Sequence, residues 1–231
     1  MSFTDKHVVV TGGTGALGTS VVGSLLQQGA HCVVPYVHDA ELQMFPHRGQ
    51  AHVGLVPVRN LADEGDVARV YEAAGAPLWA SIHIAGGFAM GKVADTDKSA
   101  LMAQLDSNLI SCFLCCRAAV RVMQGEGRIV NVAARPALEP RAGAGMSAYT
   151  IAKGGIAALT VALAEEVAKD GILVNAVAPS IMDTPANRAA MPKADHATWP
   201  KVEEVAATIL FLASHDNRVT RGAIVPVYGK A

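Results

Sequence analysis

Charge imbalance is nearly absent from this 231-residue chain: 19 Lys and Arg stand against 20 Asp and Glu, for a formal net charge of −1. Without a basic surplus there is no electrostatic footprint for nucleic acid or an anionic membrane surface, and neither is expected as a partner. Long apolar runs are also lacking. A charge or a glycine interrupts every candidate before transmembrane length, so no membrane span is expected. The opening residues Met1-Ser2-Phe3-Thr4-Asp5-Lys6 lack a signal-peptide layout, and the expected location is cytoplasmic. Cysteine is limited to Cys32, Cys112, Cys115 and Cys116. Cys112-Phe-Leu-Cys115 has the C-x-x-C form, but there is no second pair, and no nearby His or acidic residue completes a ligand set. The segment reads as an apolar helix. Its cysteines are therefore expected to be buried structural residues, and no metal is expected.

Hydrophobic residues make up 51% of the chain, which excludes a disordered polypeptide. The length suits one domain, residues 1–231, with a large core. Val8 to Val10 read as a short buried strand. Gly12, Gly13, Gly15 and Gly18 follow, and Ala16 to Gln28 reads as a helix with Leu17, Val21, Val22 and Leu25 on one face. Glycines let a phosphate approach the backbone, and a helix N-terminus offers free N–H donors and the positive end of its dipole. Strand, glycine turn and helix together make a dinucleotide pyrophosphate site from Gly12, Thr14, Gly15, Ala16, Leu17 and Gly18.

Strand and helix signals then alternate to the end. Strands are expected at 31–36, 51–58, 78–85, 127–132, 172–178 and 223–228, and helices at 63–74, 95–123 (bent near Asp106), 148–169 and 201–213. Seven strands with intervening helices predict an α/β fold: a doubly wound, Rossmann-type parallel sheet covered on both faces. The longest stretches without regular pattern, 133–147 and 179–200, follow strands that end on the same sheet edge as the glycine turn. Ligands sit at that edge in such sheets.

Tyr149 and Lys153 stand four residues apart at the start of the long helix, on one face. A free phenol has a pKa near 10. A neighbouring ammonium lowers it, so Tyr149 is a candidate general acid with Lys153 as its electrostatic partner.

Several motifs in register now point one way: Thr11-Gly12-Gly13-Thr14-Gly15-Ala16-Leu17-Gly18, Ala85-Gly86-Gly87, Asp106-Ser107-Asn108-Leu109, Asn131-Val132, Tyr149-x-x-x-Lys153, and Asn175-Ala-Val-Ala-Pro179 through Thr184-Pro185. Over essentially its full length the chain resembles the short-chain dehydrogenases/reductases. The resemblance implies hydride transfer between NADP or NAD and a small-molecule substrate. It gives Asn108 a place in a proton relay with Lys153 and sets Lys153 on the nicotinamide ribose. It also sets the Ile181 backbone and the Thr184 hydroxyl, beyond Pro179, on the carboxamide, with Ala85, Gly86 and Gly87 lining the cofactor.

Four positions depart from the family pattern. Ala16 replaces a common glycine. Tyr36 stands where NAD-preferring members carry an acid, with only His38 nearby as a conditional charge, so the preference leans to NADP with NAD retained. Asn60, followed by Leu61, replaces an Asp that accepts from the adenine amine, and its carbonyl is expected to keep that contact. Ala134 occupies the position of the catalytic serine, for which Ser147 is a poor substitute. The second half, through Ala134-Arg135-Pro136, Gly145-Met146 and Asp183 to Trp199, is similar to the dihydropteridine reductase branch. Helices 106–123 and 149–169 are apolar on more than one face, which predicts a homodimer or homotetramer. The competing reading is a non-catalytic NAD(P)-binding sensor or scaffold.

Overall fold

The computed structural model describes residues 1–75 and 77–230. In chain order the elements are β1 (His7–Thr11), α1 (Ala16–Gln27), β2 (His31–Tyr36), α2 (Asp39–Met44), β3 (Val53–Pro57), α3 (Glu64–Ala74), β4 (Leu78–His83), α4 (Lys98–Gln104), a π-helical turn (Leu105–Ile110), α5 (Ser111–Val122), β5 (Gly127–Val132), α6 (Arg135–Leu138), α7 (Ser147–Glu166), β6 (Ile172–Pro179), α8 (Pro185–Ala190), α9 (Val202–Ala213) and β7 (Ile224–Val227). The seven strands form one parallel sheet in the order β3-β2-β1-β4-β5-β6-β7. The chain reverses direction between β1 and β4, and the switch crevice opens at the carboxyl ends of these two strands.

Alternation along the strands divides the core in two. Val8 and Val10 face α1 and α9, where Leu17, Val21, Leu25, Ile209 and Leu210 cover them. Val9 faces the opposite layer, where Val70, Cys112, Ala119, Ile156 and Leu163 pack with Ile129 and Val174. All six residues of both β4 and β5 are buried, as expected for central parallel strands. Each fully buried Val, Leu or Ile contributes about 1.5–3 kcal/mol of transfer free energy.

Two helices do reach spanning length and hydropathy, Lys98–Val122 and Ser147–Glu166, against the sequence expectation. Both are docked on the sheet through Cys112, Cys115 and Ala119, and through Ala152, Ile156 and Leu163. What remains exposed is a second apolar face that includes Phe113, Ile151 and Val161. The bend expected near Asp106 is the π-helical turn. Its cause is local: Asn108 Nδ2 donates to the Gln104 carbonyl at 3.0 Å and to the Gly87 carbonyl at 2.9 Å. A side chain that takes an i−4 carbonyl interrupts the helical ladder there. The stretches without sequence pattern hold the short helices α6 and α8. Helix α2 was also not expected.

Candidate active site

The glycine turn is shaped by contact. Gly12 has φ +67°, and a Cβ there would lie 2.7 Å from the Ala85 nitrogen. A Cβ at Gly18 would run into the Gly12 carbonyl oxygen. Gly15 caps α1 with no side-chain hydrogen bond, and the first turn holds no acidic residue. The early N–H donors of α1 are therefore left for an anion.

A cleft of about 470 Å³ opens above this turn, lined by Gly12, Thr14, Gly15, Ala16, Leu17, Gly18, Tyr36, Leu61, Ala85, Gly86 and Thr184. It continues into a smaller recess of about 200 Å³ that holds Gly87, Asn108, Tyr149, Lys153, Pro179 and Ala134. Nearly every expected site residue is thus gathered along one groove. Two are not. Asn60 lies outside the cleft lining, and its side-chain oxygen accepts from the Ala62 N–H at 2.9 Å in an Asx turn. Ile181 is exposed beside the recess rather than in it.

In the recess, Asn108 is fully buried and its Oδ1 has no hydrogen-bond partner among the described residues. A Cβ added at Gly86 would lie 2.5 Å from that oxygen and 3.4 Å from Lys153 Nζ. Acceptor and ammonium thus converge over one glycine. A buried acceptor without a donor costs about 1–3 kcal/mol, which marks the position for a polar ligand. The Lys153 ammonium donates to the Val132 carbonyl at 2.8 Å, and burial holds its pKa down to about 8.

The phenol departs from expectation. Tyr149 is pushed up to about 12, with burial the cause, and Lys153 Nζ sits 5.8 Å from its ring centroid. Among the described residues the ammonium's hydrogen bond goes to Val132 and none goes to the phenol, so burial sets the direction of the Tyr149 shift. Phe88 packs edge-on against the Tyr149 ring at 5.1 Å. Ala134 is buried in the recess wall, and Ser147 is not part of that wall. The hydroxyl the recess does gain is Ser180, whose proton goes to the Tyr228 carbonyl at 2.9 Å.

One cleft residue escaped sequence reading. Glu41, on α2, lines the groove next to Tyr36 and accepts from the Thr14 hydroxyl at 2.6 Å and from the His38 N–H at 3.0 Å. An acidic side chain thus stands in the groove beside Tyr36, supplied by another element. The sequence signal was faint: an acidic residue at the third position of a short polar helix, where it caps the His38 N–H.

The chain matches the family model described as enoyl-(acyl carrier protein) reductase over residues 13–229. It belongs to the short-chain dehydrogenase/reductase family. The chain is 33% identical to a cis-4-hydroxycyclohexanecarboxylate dehydrogenase of Sinomonas cyclohexanicum, over 99% of this chain and 97% of that protein. It is 32% identical to a galactitol 2-dehydrogenase of Rhizobium johnstonii, over 96% and 93% of the two chains. Among solved structures, gox2181 superposes with a TM-score of 0.91 at 25% identity, covering 99% of this chain and 96% of that one. The protein is accordingly an oxidoreductase of an NAD(P)-dependent family. The glycine cradle, the free helix N-terminus and the unpartnered Asn108 oxygen all fit a dinucleotide with its nicotinamide end in the recess.

Proposed function

We propose that this short-chain dehydrogenase/reductase reduces a small, conjugated, electron-poor acceptor of the quinonoid dihydropterin type, and that it prefers NAD(H). The observation that carries the substrate reading is the recess wall. Tyr149 is the hydroxyl free to serve the substrate, Ala134 has none, and the Ser180 hydroxyl is turned to a backbone carbonyl. A plain ketone needs a second donor to polarise its oxygen, and losing one such donor costs about 2.7–4 kcal/mol. An acceptor already polarised by conjugation needs it less.

When bound along the groove, a nicotinamide coenzyme would supply the hydride. Tyr149 Oη gives the proton. Its raised pKa keeps it protonated and competent to donate across the neutral range. Lys153 and the Asn108 oxygen line the path by which that proton is replaced. Glu41 weighs toward NAD(H), because a carboxylate accepts from ribose hydroxyls and repels a 2′-phosphate. The Asp183 to Trp199 segment, similar to dihydropteridine reductases, supports the same substrate class. Within it Thr184 and Asn187 line the groove, and Thr184 caps the Asn187 N–H. The exposed apolar faces of α5 and α7 support a homodimer or homotetramer, and a monomeric mass in light scattering would refute that part. The non-catalytic reading is not favoured, because Tyr149, Lys153 and Asn108 are all present and convergent.

The test compares quinonoid dihydropterin with a simple aliphatic ketone on the wild type and on Ala134→Ser. The expected result is much higher kcat/KM for the dihydropterin in the wild type. Ala134→Ser should raise ketone turnover selectively. Equal use of both acceptors by the wild type would end the substrate reading while leaving the family assignment intact.

A further inference from the structure

The C-x-x-C spacing leads to the wrong pair. On α5, Cys112 and Cys116 share a face at i, i+4, whereas Cys115 turns toward Tyr71. The face of Cys112 and Cys116 looks onto two neighbouring strands. His83 of β4 and Asn131 of β5 are partners in register there and point to the same side of the sheet. The histidine that sequence proximity did not supply is thus brought in by the sheet.

We propose that His83 Nδ1, the Cys112 and Cys116 thiolates and Asn131 Oδ1 form a four-coordinate site for one thiophilic divalent cation, zinc being the best fit.

The separations support this. Tetrahedral zinc with bonds of about 2.0–2.3 Å places its ligand atoms about 3.3–3.8 Å apart. Here Cys112 Sγ is 3.3 Å and Cys116 Sγ 3.5 Å from Asn131 Oδ1, and the same sulfurs are 4.0 and 3.5 Å from His83 Nδ1. His83 Nδ1 and Asn131 Oδ1 are 2.8 Å apart, and the His and two Cys ligand atoms lie within 4.8 Å of one another. The His83–Asn131 separation would open by about half an ångström on binding, the largest adjustment among these separations.

The surroundings orient the ligands. Thr160 Oγ1 donates to the Ile156 carbonyl at 2.8 Å, so it accepts from Asn131 Nδ2 at 2.9 Å, and the Asn131 oxygen is left facing the sulfurs. His83 Nε2 meets Ser81 Oγ at 2.8 Å and Tyr71 Oη at 3.1 Å, the kind of outer contact that fixes a ligating imidazole. Without a cation two S–H groups and the ring nitrogen crowd one amide oxygen with two lone pairs, and one thiol turns to the other sulfur instead. Zinc binding balances as Zn²⁺ plus two thiols giving a zinc dithiolate plus two protons. The resulting neutral cluster suits a site whose members are all buried. The cation would tie α5 to β4 and β5 one helical turn beyond Asn108, so it would be structural rather than part of hydride transfer.

The full-length, tag-free protein is refolded with equimolar zinc and, separately, with cobalt. Native mass spectrometry is expected to show one zinc per chain, with a mass increment equal to zinc less two protons. The cobalt form should show thiolate-to-metal charge transfer and tetrahedral ligand-field bands. Cys112→Ala and Cys116→Ala should each lose the bound equivalent, while Cys115→Ala keeps it. If the variants fail to fold, the wild-type mass and spectrum decide alone. Folded wild type that retains no metal overturns the proposal. So does cobalt uptake without a thiolate band, or uptake abolished by His31→Ala with His52→Ala, the surface pair whose Nδ1 atoms are 3.0 Å apart.

Discussion

Replacing Glu41 with Gln tests the cofactor reading at one atom pair. The glutamine keeps an oxygen for the Val37 and His38 N–H groups, which Glu41 holds at 3.3 and 3.0 Å, so the start of α2 survives. What disappears is a negative charge beside the ribose end of the groove, together with the second oxygen that accepts from the Thr14 hydroxyl. A unit charge about 4 Å from a phosphate charge costs about 1 kcal/mol in water and about 4 at an effective dielectric of 20. Glu41 is half-buried, so screening puts the repulsion near the low end, about 1–2 kcal/mol. The NADH carboxylate–hydroxyl contact weakens at the same time, by a few tenths to one kcal/mol. Together these should lower the ratio of NADPH to NADH dissociation constants about tenfold or somewhat more. Titration of nicotinamide fluorescence measures both constants without any substrate. The steady-state ratio of kcat/KM should move in parallel. A wild type that binds NADPH more tightly than NADH, or a ratio unchanged within twofold in Glu41→Gln, would show that the carboxylate does not face the ribose.

Tyr149→Phe is expected to reduce kcat by about 10²-fold or more, the scale of a lost positioned acid, with NADH affinity nearly unchanged. A near-normal kcat would assign the proton to another group. The pH profile should follow Lys153. Burial depresses it to about 8, so the ammonium that feeds the relay is present below that pH and lost above it. Tyr149, raised to about 12, stays protonated throughout. The rate of reduction should therefore fall as pH rises through about 8, and Lys153→Met should remove that limb. A flat profile from pH 7 to 9.5 would detach the relay from Lys153.

The fold was legible because its signals are local. Four strands carry uninterrupted β-branched or apolar cores, and the glycine turn between β1 and α1 has one geometry that suits it. Even the bend near Asp106 was visible, although its agent, Asn108 reaching back to Gln104, was not. The Tyr149–Lys153 pair was readable for the same reason, since four residues of one helix are enough to define it. Its electrostatics were not. Which carbonyl captures an ammonium depends on β5, and Val132 takes it. The ordinary i, i+4 argument assumed that the two side chains have only each other.

The features that escaped reading share a cause: each is completed across the sheet, not along the chain. Glu41 matters because β2 ends beside the glycine turn and α2 folds back over it, so an acid five residues after Tyr36 lands in the same groove. His83 and Asn131 are hydrophilic residues in strands that are buried along their whole length, and that mismatch is the signal a sequence offers for such a cluster. A polar side chain inside a central parallel strand has no water to turn to. It must find partners on the covering helix, and α5 supplies sulfur. The absence at Ala134 works the same way in reverse. A missing hydroxyl can be judged only after Ser147 is found outside the recess and Ser180 is found spent on Tyr228. In this arrangement Tyr149 carries the recess hydroxyl that makes no hydrogen bond among the described residues, which is the observation the proposed one-donor chemistry rests on.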